Sequence, residues 1–251
     1  MSGHSKWSTI KRQKGVTDMK RGQLFTKLSM AITMAVKQGG NIGDPDSNFK
    51  LRLAIEAGRA ANMPKENIER AIAKATAGQS GDLMELTYEG FGPGGFSVIV
   101  DALTDNNQRT VAEVKNVFVK NGGSMGAQGS VAYQFEQKGV IVVDKNGHTF
   151  DDVFLVAVDG GAEDVEEEDG EIIVYTRPDS LAKVRTALKE AGQGVKSAEL
   201  TRKPNIITEI TDIDTAKKAI LFIERMEDLS DVQKVYANLD IPESLINEVS
   251  P

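Results

Sequence analysis

The chain has no cysteine and only two histidines, and these absences exclude several kinds of chemistry. Without cysteine there is no disulfide, no thiolate nucleophile and no cysteine-ligated zinc. His4 and His148 lie far apart in the sequence, which supports neither a histidine-based catalytic triad nor a histidine-rich metal cluster. We therefore expect no catalytic residue, no cofactor and no metal, and predict that the protein is not an enzyme.

Long apolar runs are also missing. No stretch approaches the roughly 18 consecutive apolar residues of a membrane-spanning helix. The N-terminus has no apolar segment between its basic residues and a cleavage site, so it does not fit a secretory signal. The sequence therefore predicts a cytoplasmic protein with no membrane partner.

Charge is abundant, and it is unevenly distributed. The whole chain carries a net charge of −7. Residues 1–78 contain 14 Lys and Arg against 6 Asp and Glu, whereas residues 79–251 contain 16 against 31. The first segment is therefore net +8 and the second net −15. This asymmetry is typical of a polyanion-binding segment joined to an acidic body.

Positive charge is densest at the N-terminus, where seven of the first 27 residues are Lys or Arg and only Asp18 opposes them. Such a basic arm can follow phosphates, and an aromatic ring within it can stack on a base. Alternatively, Trp7 anchors the arm on its own domain, and the cations form a solvated surface. The predicted nucleic-acid-binding residues here are Lys6, Trp7, Lys11, Arg12, Lys14, Lys20, Arg21 and Lys27.

Apolar residues at helical spacing predict three helices in the first 78 residues. The first is expected to end at Gly39-Gly40, the second at Asn62-Met63 and the third at Gly78. Asp46 or Ser47 is predicted to cap the second helix. Three short-linked amphipathic helices form a small bundle with a thin, alanine-rich core.

Beyond residue 78 the spacing becomes strand-like. LMELTYE and FSVIVDAL predict two strands joined by GFGPGG, followed by a helix and a strand at SVAYQF. Residues 139–200 then follow the order β-α-β-β-α-β of a ferredoxin-like unit. The C-terminal strand NIITEI, a helix and the strand VQKVYANL cannot bury both faces alone, so we expect them to complete the preceding domain.

The predicted fold class is therefore α+β and multi-domain. An N-terminal three-helix bundle precedes two α/β domains, and the last of these is a ferredoxin-like unit inserted into a discontinuous middle domain. The predicted boundaries are residues 1–78 for the basic arm and bundle, 79–137 with 205–251 for the middle domain, and 138–204 for the inserted domain.

Two glycine patterns invite a functional interpretation. Gly90, Gly92 and Gly95 satisfy the dinucleotide-binding pattern G-x-G-x-x-G, but a strand follows instead of the required helix, which favours a hairpin turn. The glycines between residues 122 and 129 could bind an anion through backbone N–H groups, or they could simply connect a helix to a strand. We favour the connection.

Two acidic patterns suggest cations. Asp44, Asp46 and Asn48 resemble the start of a calcium loop, but Phe49 and Ile55 occupy the positions of its glycine and its last glutamate. Helix capping is therefore favoured. The run EDVEEEDGE, residues 163–171, falls at a predicted hairpin, where a solvated acidic edge is favoured over a metal site.

Several longer stretches resemble the YebC/PmpR family, which is related to the mitochondrial translational activator of cytochrome c oxidase. They are GHSKW at residues 3–7, YEGFGPGG at 88–95, ALTDN at 102–106 with Arg109-Thr110, FVKNGGSMGAQGSVAYQF at 118–135 and VYANLDIP at 235–242. The resemblance implies three domains with the last inserted into the middle one, no catalysis, and Arg109 as a further nucleic-acid contact.

The resemblance implies two roles, a DNA-binding transcriptional regulator or a translation factor at the ribosome. No helix shows a clear base-reading face, and a basic arm suits RNA as well as DNA. We predict a non-enzymatic nucleic-acid-binding regulator of transcription that binds DNA. A translation factor bound to ribosomal RNA or the ribosome is the alternative, a protein-binding scaffold is a third hypothesis, and a homodimer is left open.

Overall fold

A computed structural model describes residues 18–79, 81–145, 147–168, 170–242 and residue 245; of residues 18–20 it describes the backbone. The helices are α1 Asp18–Gln38, α2 Phe49–Ala60, α3 Lys65–Thr76, α4 Asn107–Lys120, α5 Phe150–Gly160, α6 Leu181–Glu190 and α7 Ile213–Glu227. The strands are β1 Met84–Phe91, β2 Ser97–Thr104, β3 Ser124–Met125, β4 Phe135–Asp144, β5 Ala162–Glu168, β6 Glu171–Thr176, β7 Val195–Pro204, β8 Thr208–Glu209, β9 Val232–Ala237 and β10 Leu239–Asp240.

These elements confirm the predicted α+β fold, with N-terminal helices followed by α/β domains. The described part of the chain divides into two compact units, of which one is Glu136–Lys203 and the other comprises the described residues before and after it. The exact boundaries predicted for three domains stay a prediction.

Helices α1, α2 and α3 form the bundle, and α1 packs against both of the others. Their apolar faces meet in a core that includes Ile32, Val36, Leu51 and Ala75, each at most 1 % exposed. Several of the core side chains are alanines, so the helices bury a small apolar area.

Asn48 caps α2, and the prediction of Asp46 or Ser47 as the cap is wrong. The Oδ1 atom of Asn48 accepts the Leu51 N–H at 3.1 Å, while its buried Nδ2 donates to the carbonyl of Ala35 at 2.9 Å. Asp46 and Ser47 belong instead to the preceding turn, where the Asp46 N–H and the Ser47 hydroxyl donate to the carboxylate of Asp44.

The first sheet has the strand order β3-β1-β2-β9. Strands β1 and β2 form an antiparallel hairpin, which confirms the turn interpretation of GFGPGG. Gly94 and Gly95 have φ angles of +90° and +83°, a left-handed conformation that favours glycine. Helices α4 and α7 cover one face, and the rings of Phe118 and Phe222 lie 5.2 Å apart in its core.

Two strand predictions need correction in this part of the chain. SVAYQF is not a strand, because its backbone N–H groups turn toward a buried carboxylate, and residues Ala132–Gln134 form a 3₁₀ helix before β4 begins at Phe135. VQKVYANL is interrupted at Asn238, where β9 leaves β2 and β10 pairs in parallel with β8. Asn238 itself is buried, and its Oδ1 accepts the Ser97 N–H at 2.7 Å.

Residues 136–203 follow the predicted order β-α-β-β-α-β. Their sheet has the order β5-β6-β4-β7, and β6 pairs antiparallel with both β4 and β5, as in a ferredoxin-like unit. The acidic run forms β5 itself, and its register with β6 confirms the predicted hairpin.

Candidate nucleic-acid interface

The basic arm leads directly into α1. Of its predicted contacts, Lys6, Trp7, Lys11, Arg12 and Lys14 lie outside the described residues, as does the side chain of Lys20. Arg21 is the first predicted contact whose side chain is described, and it is exposed on the first turns of α1. Helix α1 therefore carries the C-terminal end of the basic segment.

Positive charge also extends over the bundle. Residues 18–79 contain 10 Lys and Arg against 6 Asp and Glu. Exposed cations occur on every helix of the bundle: Arg21 on α1, Lys50 and Arg59 on α2, and Lys65, Arg70 and Lys74 on α3. The sequence prediction named none of those on α2 and α3, although their positions opposite the apolar faces would have revealed them.

Lys27 lies half-buried between the bundle and the body of the same unit. Its Nζ atom donates to the carbonyl of Glu227, the last residue of α7, where the helix presents unsatisfied carbonyl groups. Ten residues later, Lys37 donates to the carbonyl of Gly81. The bundle and the middle domain have separate apolar cores, and polar contacts such as these join them.

Arg109 lies in the first turn of α4 and binds two carboxylates. Its Nη2 atom is 2.9 Å from Oδ2 of Asp231 and 3.0 Å from Oδ1 of Asp105. The hydrogen bond to Asp231 raises the pKa of the guanidinium above its ordinary value, with Asp105 adding to the shift. The side chain remains 44 % exposed, so one edge is held by the protein while the rest faces solvent.

Asp231 is the buried member of this network, with a side chain only 8 % exposed. The hydroxyls of Thr110 and Thr104 donate to its Oδ2 at 2.7 and 3.1 Å. Burial alone would raise the pKa of Asp231, but hydrogen bonds from Thr110, Arg109 and Thr104 outweigh it and lower the pKa. The sequence prediction missed Asp231, because no local pattern links it to α4.

The glycine-rich loop before β4 binds a carboxylate side chain of the same protein. The buried carboxylate of Glu89 accepts the N–H groups of Gly129, Val131 and Ala132 at 2.7 to 2.8 Å. The Gly126 N–H donates to the Glu89 carbonyl. These donors are therefore used internally, which supports the connection interpretation over an external anion site.

Two other classes of site are absent from the part of the chain that the structure describes. There, no group of three or more His, Asp or Glu side chains is arranged to hold a metal ion. No helix within the same residues is long and apolar enough to cross a membrane.

Comparison with known families covers almost the whole chain. Residues 5–78 match the family described as the TACO1/YebC protein N-terminal domain, and residues 83–239 match the TACO1/YebC second and third domain. The chain belongs to the TACO1/YebC family. This confirms the resemblance found in the sequence, and the N-terminal domain of the family coincides with the basic segment.

Full-length relatives support the TACO1/YebC assignment. A protein of Herpetosiphon aurantiacus is 51 % identical over 98 % of this chain and 97 % of its own length, and one of Treponema denticola is 50 % identical over 97 % and 98 %. Both are named "Probable transcriptional regulatory protein". The crystal structure of a conserved hypothetical protein from Aquifex aeolicus matches with a TM-score of 0.84 and 43 % identity, covering 95 % of this chain and 98 % of the other.

Proposed function

We propose that the protein is a non-enzymatic, DNA-binding regulator of transcription that contacts phosphates through its basic N-terminal arm and bundle. The observation that carries this proposal is the separation of charge, net +8 in residues 1–78 against net −15 in the rest. The regulatory name of the full-length relatives supports it. Such a separation attracts a polyanion to one end of the molecule.

In this proposal the contacts are made mainly to the nucleic-acid backbone. The phosphate-binding cations are Lys6, Lys11, Arg12, Lys14, Lys20, Arg21 and Lys27, with Arg109 offering the exposed edge of its guanidinium and Trp7 stacking on a base or holding the arm. Each engaged phosphate releases counterions, so affinity should fall steeply as the salt concentration rises.

The test is the salt dependence of binding to duplex DNA by the full chain. Reversing Lys11, Arg12 and Lys14 to Glu should lower the slope of log affinity against log salt by about 0.9 for each phosphate that the variant no longer neutralises. The matched control reverses three exposed cations of the middle domain, Lys115, Lys217 and Lys218, to Glu. An equal decrease of slope in the control would contradict the proposed site.

RNA is the second candidate ligand, and the exposed surface of α2 and α3 favours it. The exposed positions of α2 and α3 carry Lys, Arg, Glu, Ala and Thr, without the Asn or Gln that read adenine in the major groove. Recognition through backbone and shape suits RNA. Footprinting on genomic DNA, compared with cross-linking to ribosomal RNA, distinguishes the two: specific protection of DNA alone supports transcription, and specific cross-links to RNA alone support translation.

A further inference from the structure

The outer side of α5 exposes a cluster of large apolar side chains. Phe154, Leu155 and Val158 are 40, 63 and 46 % exposed, although they lie within about one helical turn of one another. Single apolar residues on a surface are ordinary, but a contiguous group on one helix marks an interaction surface. The buried side of the same helix, with Val153 and Ala157, already packs within the unit.

Helices α5 and α6 carry opposite charges. Three aspartates and no cation lie on α5: Asp151, Asp152 and Asp159. On α6 the exposed charges are Lys183 and Lys189 against Glu190, because Arg185 is buried. The two helices pack side by side, so one surface of the inserted unit has an acidic, apolar half and a basic half.

The basic half also has room for apolar side chains. A shallow groove follows α6 and is lined by Ala182, Lys183, Thr186, Ala187 and Glu190. Ala182 and Ala187 leave space for the larger side chains of another α5. Lys183 attracts an aspartate of that helix, and Lys189 beside the groove offsets the opposing charge of Glu190. The surface is therefore complementary to itself.

We propose that a second copy of the chain covers this surface, with α5 of each protomer packed against α6 of the other. A two-fold axis running between the two helices makes both contacts at once and closes the assembly as a dimer. The alternative two-fold, with α5 against α5, brings six aspartates together, and their repulsion opposes it.

The size of the surface predicts a weak dimer. An 11-residue helix is about 16 Å long, and two neighbouring helices are about 20 Å wide, so the surface covers about 320 Å² on each protomer and is smaller than a stable protein interface. Association should therefore appear in the micromolar to millimolar range of protein concentration. At that strength, charge at the interface decides whether the dimer forms.

The experiment uses sedimentation velocity on two charge-reversed full-length chains. The first carries Asp151→Lys with Asp159→Lys, and the second carries Lys183→Glu with Lys189→Glu. In each variant alone, both helices have the same sign of charge, so the dissociation constant should rise at least tenfold. Mixed in equal amounts, they should form a heterodimer, because each acidic helix then meets a basic one.

Lys115→Glu with Lys217→Glu is the matched control, since it changes the net charge as much as the second variant does but on exposed residues of the middle domain. It should dimerise like the wild type. Thermal unfolding establishes that every variant is folded. A wild-type chain that stays monomeric up to millimolar concentration, or two folded variants that fail to associate when mixed, would overturn the proposal.

Discussion

Arg109 contacts both carboxylate oxygens of Asp231, although 122 residues separate the two along the chain. In the sequence, Arg109 lies in the first turn of α4, before the inserted unit, and Asp231 lies directly before β9, after that unit. The backbone adds a further hydrogen bond, in which the Leu103 N–H donates to the Asp231 carbonyl at 2.8 Å. The pair therefore joins the two sequence segments of the middle domain at one buried carboxylate.

Replacing Asp231 by Ala should destabilise the fold by about 2 kcal/mol, because the hydroxyls of Thr104 and Thr110 lose a charged acceptor in a buried place. Urea unfolding followed by circular dichroism measures the change. Asp105→Ala is the control, since Asp105 binds the same guanidinium but is 66 % exposed. A surface ion pair of this kind contributes little, so the control should keep wild-type stability.

The same carboxylate should make stability depend on pH. Because the folded protein lowers the pKa of Asp231 below its ordinary value of 3.8, its stabilisation is complete above that pH and is lost as the pH falls through the folded-state pKa. The difference in unfolding free energy between wild type and Asp231→Asn should therefore become smaller as the pH is lowered toward the folded-state pKa of Asp231. A difference that stays constant from neutral to acidic pH would contradict this assignment.

Glu89 should keep the loop before β4 in a single conformation. Glu89→Gln replaces one carboxylate oxygen by an amide that cannot accept, so at least one of three backbone donors loses its bond. We expect a loss of about 2 kcal/mol and faster amide hydrogen exchange at residues 129–132. Glu85→Gln, at an exposed position on the same strand, should change neither quantity.

Periodicity predicted the helices and most strands, because it records which side of an element is buried. It failed where a single polar side chain redirects the backbone. SVAYQF has strand-like composition, but Glu89 binds its N–H groups, and Asn238 ends β9 by binding Ser97 on the neighbouring strand. Both partners are distant in the sequence, so no local pattern could indicate them.

Asn48, the cap of α2, allows a test of how much one polar side chain with two different hydrogen bonds contributes to stability. Asn48→Asp keeps the acceptor for the Leu51 N–H but places an oxygen against the carbonyl of Ala35, where Nδ2 now donates. It should therefore destabilise the bundle by about 2 kcal/mol, even though Asp is as good a cap as Asn. Ser47→Ala, which removes an exposed hydrogen bond to Asp44, should have little effect in the same urea titration.

The sequence predicted the candidate interface only in part, because charge can be counted along the chain but contacts between distant residues cannot be read from it. The separation of charge follows from counting residues, and it identified the basic segment. The contacts of Arg109 with Asp231 and of Lys27 with Glu227 could not be predicted, because they join residues 122 and 200 positions apart. Tertiary structure thus decides which cations of the set also hold the fold together.

Lys27 should serve both the fold and the nucleic acid. An ammonium has three donors, so one can stay on the Glu227 carbonyl while another reaches a phosphate. Lys27→Gln should both lower the salt slope by about 0.9 and speed amide exchange in α1. If Lys27→Gln speeds exchange and leaves the slope unchanged, Lys27 holds the bundle in place without binding phosphate, because removing a cation that displaces counterions must change the salt dependence.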